Sequence, residues 1–83
     1  MARISFQRLD VRPILSRGDE PLLEIRRRID ALPSGKGLAV VAPFLPAPLI
    51  ERLRGEGFQS RFERGRRGEW ITYFWRDTDP QSR

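Results

Sequence analysis

Apolar and polar positions alternate from Ile4 to Val11, with Leu9 and Val11 set against Arg8 and Asp10, predicting a strand with one buried face. Arg12 to Gly18 reads as a loop opened by Pro13, which has no N–H to give a strand ladder. A helix is expected from about Asp19, where Asp19 can cap the free N–H groups and Pro21 falls in the first turn. Leu22, Ile25, Ile29 and Leu32 then lie on one stripe at helical spacing. Pro33 to Gly37 ends that helix and turns the chain.

Leu38 to Ala42 is an unbroken apolar run, the pattern of a strand buried on both faces. The proline-rich stretch Pro43 to Pro48 is a stiff loop, and its last proline suits the first turn of a second, shorter helix. Leu49, Ile50 and Leu53 form the apolar side of that helix, which stops at Gly55 to Gly57. Phe58 to Arg64 and Glu69 to Trp75 are two strands joined by a tight turn at Gly65-Arg66-Arg67-Gly68.

The expected order is therefore βαβαββ, one domain over residues 1–76 followed by a frayed polar tail at residues 77–83. Right-handed crossovers on one face make the first three strands parallel. The last strand, Trp70 to Trp75, is apolar on both sides and suits a central position better than an edge. An order of 1-2-4-3 satisfies both rules. The expectation is an α+β two-layer sandwich: a mixed four-stranded sheet, two helices on one face, the other face open.

A turn centred on Arg66 and Arg67 pairs Phe62 with Ile71, Ser60 with Tyr73 and Phe58 with Trp75 on the core side. Arg61, Trp70, Thr72 and Phe74 then fall on the open face. Exposed aromatics on a small domain mark a surface for a partner or a second copy. With Arg61 beside them, the same rings are placed to stack bases of single-stranded nucleic acid.

Composition narrows the chemistry. The chain has 83 residues, no cysteine and no histidine, so disulfides, thiolate chemistry and imidazole proton transfer are excluded for its own side chains. No metal or cofactor is expected. No apolar run is long enough to span a membrane or serve as a signal peptide, so a cytoplasmic location is the default expectation. The net charge is +5, and Lys36 is the sole lysine among 16 basic residues. Such a charge suggests phosphate or nucleic-acid contact, but alone it argues solubility and association rather than a specific site. Arg26, Arg27 and Arg28 are consecutive on the first helix and point in different directions, so they make no patch.

Loops leaving parallel strands one and two emerge along one edge, where open α/β sheets hold ligands. That edge gathers Arg12, Ser16, Arg17, Gly18 and Phe44, a candidate site for a small anion. Against it stand Asp19 and Glu20, acids at the same helix end, and the ready pairing of Arg12 with Asp10.

Leu9-Asp10-Val11-Arg12-Pro13-Ile14-Leu15, Arg17-Gly18-Asp19-Glu20-Pro21-Leu22, Ala31-Leu32-Pro33-Ser34-Gly35, Ala42-Pro43-Phe44-Leu45-Pro46-Ala47-Pro48-Leu49 and Gly57-Phe58 together resemble a family of small bacterial domains related to the TusA (SirA-like) sulfur carriers. The resemblance covers roughly residues 6 to 76 and implies the same βαβαββ sandwich. TusA proteins carry sulfur on the cysteine of a Cys-Pro-x-Pro motif opening the first helix. Counting from Arg12 puts that position on Ser16, counting back from Pro21 puts it on Gly18, and neither is cysteine. Ser16 lacks an adjacent base to make it a nucleophile. The expected function is a non-catalytic protein-interaction module, binding a protein partner or itself through the open face. The alternatives are nucleic-acid binding by the arginine-rich hairpin, or small-anion binding at the strand-loop edge.

Overall fold

The computed structural model describes residues 4–76, and the expected tail at residues 77–83 lies outside them. The chain runs β1 (Ser5–Asp10), α1 (Arg12–Ser16), α2 (Leu22–Asp30), β2 (Lys36–Ala42), α3 (Ala47–Gly55), β3 (Phe58–Arg64) and β4 (Trp70–Arg76). The four strands form one sheet in the order β1-β2-β4-β3. β1 and β2 are parallel, while β4 runs antiparallel to both β2 and β3. This is the expected topology. β2 is buried from Gly37 to Ala42, as its unbroken apolar run requires of a strand between two neighbours.

One core joins the helices to a single sheet face. Leu9, Leu38, Val40, Phe58 and Phe74 meet Ile25 and Ile29 of α2 and Ile50 and Leu53 of α3. Burying a side chain of this size stabilises by about 1.5–3 kcal/mol. Ile14 and Leu15 of α1 pack against the same cluster. All three helices therefore cover one face, and no described element covers the other.

Three local expectations are corrected. First, the Arg12–Gly18 loop contains a third, five-residue helix, α1. Pro13 has a φ suited to a first helical turn, and Asp10 Oδ1 accepts the Arg12 N–H at 3.0 Å, satisfying a donor at its start. Second, Asp19 does not cap α2. Glu20 Oε2 accepts the Leu22 N–H at 2.9 Å, and Pro21 is the residue at the cap position.

The third correction concerns the hairpin. The Gly65 N–H donates to the Glu69 carbonyl at 2.7 Å, so the loop holds three residues, Arg66, Arg67 and Gly68, rather than two. A two-residue type I′ turn would put both arginines at positive φ. Instead only glycines among the described residues have positive φ, and Gly68 takes it at 84°. The longer loop shifts the register by one: Phe62 faces Thr72, Ser60 faces Phe74 and Phe58 faces Arg76. A one-residue shift inverts every side chain of a strand. Thr72 and Phe74, expected outside, are both 0% exposed in the core. Ile71, Tyr73 and Trp75 take the open face.

Candidate functional site

The open face is built from three rows that cross the sheet. At the first row Phe6 of β1 lies beside Gly37 of β2, with Trp75 and Gln59 beyond on β4 and β3. The second holds Arg8, Ala39, Tyr73 and Arg61, and the third Asp10, Val41, Ile71 and Glu63. Because β2 contributes only glycine, alanine and valine here, side chains from β1 and β4 reach across it. Phe6 meets Tyr73 edge-on at 5.0 Å and Trp75 at 6.0 Å between ring centroids. Edge-to-face pairs of this kind hold rings in defined orientations.

Charge surrounds this aromatic centre unevenly. The Arg61 guanidinium lies 5.0 Å from the Tyr73 ring centroid. Tyr73 donates its hydroxyl to Glu63 Oε2 at 2.7 Å, and this bond, with burial second, holds the phenol above its ordinary pKa. Glu63 and Asp10 are thus engaged, the latter by Arg12. Arg8 and Arg61 have no carboxylate partner among the described residues. Across the three rows Arg8 and Arg61 are matched in number by Asp10 and Glu63, and the two guanidiniums lie in the row of Tyr73.

The expected interaction residues divide accordingly. Arg61 is on the open face. Thr72 and Phe74 belong to the core, and Trp70 lies half-buried on the helix-bearing side. There the Trp70 ring stacks edge-on with Phe62 at 5.8 Å and lies under Arg64 at 4.7 Å. Phe62 is 50% exposed. Arg66 and Arg67 at the loop tip have no ion pair among the described residues.

The strand-loop edge does not assemble the expected anion site. Arg12 binds Asp10 in two-pronged fashion, Nε to Oδ1 at 2.9 Å and Nη2 to Oδ2 at 2.7 Å. That pairing is the largest influence on Asp10 and holds its carboxyl below the ordinary range. Arg17 pairs with Asp19 at 3.1 Å, while Ser16 and Gly18 are exposed. Each arginine is already matched by an aspartate two residues away. Phe44 borders a groove of about 540 Å³ between the starts of α2 and α3, separate from the cavity that Arg17 lines with Asp19.

Phe6, Tyr73 and Trp75 are the residues that sequence reasoning missed on the open face. The usable signal was Gly68, whose place at the end of the turn favours a three-residue loop with a left-handed last residue.

With this geometry in place, comparison with known proteins is informative at one level. Residues 8–76 match the family described as "Uncharacterized conserved protein (DUF2249)". The chain belongs to the DUF2249 family. No curated protein and no solved structure matches it. The DUF2249 match runs from Arg8 in β1 to Arg76 at the end of β4, so it spans the groove, the hairpin and the open-face rows except Phe6. No described helix of this DUF2249 domain is long and apolar enough to cross a membrane.

Proposed function

We propose that this chain is a cytoplasmic, non-catalytic interaction domain of TusA-like class that docks an acidic protein partner on its open sheet face. One observation carries the reading: the uncovered face gathers Phe6, Tyr73 and Trp75 into a single aromatic cluster flanked by Arg8 and Arg61. Aromatic side chains and arginine are the types that dominate binding energy at interfaces. Arg8 and Arg61, in the row of Tyr73 and without an ion pair among the described residues, favour a partner that brings carboxylates to that row. The kinship to TusA carriers rests on the motif resemblance, and the missing cysteine leaves the scaffold without their sulfur chemistry.

The test is a photo-crosslinking amino acid at Gln59, on the rim of the cluster, in the source cell. The expected result is one dominant adduct through an acidic segment, reproduced with purified components and lost in Trp75→Ser and Arg61→Glu. Adducts insensitive to both substitutions, or adducts only to a second copy, overturn the reading.

A second reading, nucleic-acid binding, is favoured by a separate observation: Arg64 lies over the Trp70 ring of the Phe62–Trp70 pair, and Arg66 and Arg67 follow it in the exposed hairpin loop. Bases stack on such rings, and phosphate contacts lose affinity steeply with salt. Gel shifts with single-stranded DNA and RNA across a salt series decide it. Absence of binding at low salt removes this reading.

A further inference from the structure

We infer that the groove between α2 and α3 binds a medium-chain aliphatic monocarboxylate, with its tail in the groove and its head group on Arg52. This site is on the helix-bearing side and is independent of the open-face reading.

The groove lies at the carboxyl edge of the parallel strands, where β1 and β2 hand the chain to the loops before α2 and α3. Its volume of about 540 Å³ falls within the range of roughly 300–1,000 Å³ typical of small-molecule sites. Leu15, Leu22 and Ile25 line one wall, and Phe44, Pro48 and Leu49 line the other. Pro46 stiffens the end of the loop beside it and Pro48 the first turn of α3, so the wall is preformed rather than ordered on binding. Phe44 is 50% exposed although it is apolar and borders this cavity, leaving surface that a ligand tail would cover.

Two charged groups border the groove, Glu20 and Arg52, and they are in different states. Glu20 is occupied: its carboxylate accepts the Leu22 N–H at 2.9 Å, at the positive end of α2. Arg52 is not. The adjacent acid in α3, Glu51, is bonded by Arg54, and both oxygens of Glu56, one turn further on, are taken by Arg26 at 2.8 and 2.7 Å. Arg52 contributes to the lowered pKa of Glu56 only as a lesser charge behind that direct bond. Among the described residues Arg52 has no ion pair. An exposed, unmatched guanidinium at the mouth of an apolar groove complements a ligand with a long apolar tail and a single carboxylate. A cationic head group would meet repulsion from Arg52 and a glutamate already bonded.

The test follows amide shifts of Leu22, Phe44 and Leu49 by NMR during titration with decanoate, decanol and decylammonium, each kept below its aggregation limit. Saturable shifts with decanoate are expected, with weaker effects from the other two. Arg52→Ala should weaken decanoate about tenfold, the loss of one charge-assisted contact, and leave decanol unchanged. Circular dichroism of the variant should match the parent, since Arg52 is exposed and has no ion pair among the described residues. Absence of saturable shifts, equal binding of decylammonium, or indifference of decanoate to Arg52→Ala each overturns the assignment.

Discussion

The ring of Phe6 rests against the backbone of Gly37, filling the place where a β-carbon would stand. A methyl group there would come within 2.5 Å of the ring and 2.6 Å of the Phe74 carbonyl oxygen. The carbonyl belongs to the β4 backbone and has no freedom to retreat. Gly37→Ala is expected to destabilise the domain by about 1–3 kcal/mol, the cost of overpacking a filled site. Urea denaturation checks this, and near-ultraviolet circular dichroism should report loosened aromatic packing. Combining it with Phe6→Ala should restore only part of the loss, because the carbonyl contact remains.

Thr72 offers the opposite opportunity. Its hydroxyl is fully buried between Val40 and Phe62 in the pairing scheme and has no hydrogen-bond partner among the described residues. A buried, unsatisfied hydroxyl costs about 1–3 kcal/mol, and valine has nearly the same shape. Thr72→Val should raise stability by about 1 kcal/mol, read as a higher denaturant midpoint with an unchanged slope. A fall in stability would mean that the hydroxyl is satisfied in solution.

Acid sensitivity should centre on Asp10. Its pKa is lowered in the folded state, chiefly by the Arg12 side chain, so the stabilisation is present above the unfolded value of about 4 and is lost as pH falls through the folded value. Asp10→Asn should cost about 1 kcal/mol at neutral pH, in part because the carboxylate also caps the start of α1. The difference from the parent should shrink as the pH is taken below that window. Unfolding curves over a pH series measure both effects.

Tyr73 is the only tyrosine in the chain, so ultraviolet difference absorbance reads its ionisation without overlap. The phenol should titrate above its ordinary value because it donates to the Glu63 carboxylate. Glu63→Gln removes the neighbouring negative charge and should bring the titration back down. An unchanged midpoint would place the hydroxyl away from Glu63.

Gly68 closes the hairpin at a φ of 84°. Gly68→Ala is expected to cost about 1–2 kcal/mol, the penalty for a β-carbon in the left-handed region. Thermal melts of the pair check it.

Strand order is legible from two features: the apolar run Leu38 to Ala42 and the two-sided apolar strand Trp70 to Trp75 both need neighbours on each side. Helix stripes are equally plain, and Ile25, Ile29, Ile50 and Leu53 are buried as their spacing requires. α1 escaped notice because five residues show too little periodicity, and its start depends on an Asp10 contact that composition does not reveal. The open-face residues were misassigned for a different reason. Every residue of β4 from Trp70 to Trp75 except Thr72 is apolar, so alternation carries no information about which set faces in. Only the turn could decide, and the turn was counted one residue short. At the strand-loop edge the pairing of Arg12 with Asp10 is legible from their spacing, whereas that of Arg17 with Asp19, also two positions away, is not signalled by any motif.

A loop of three residues gives this hairpin an odd count, and oddness is what directs Tyr73 and Trp75 to solvent. Deleting one residue between Gly65 and Glu69 would rotate β4 by half a turn, sending Phe74 outward and drawing Tyr73 against α3. Two relatives with the same strand sequence and loops differing by a single position would then present unlike surfaces to the world. For this scaffold the length of a turn decides which side chains the uncovered sheet face displays.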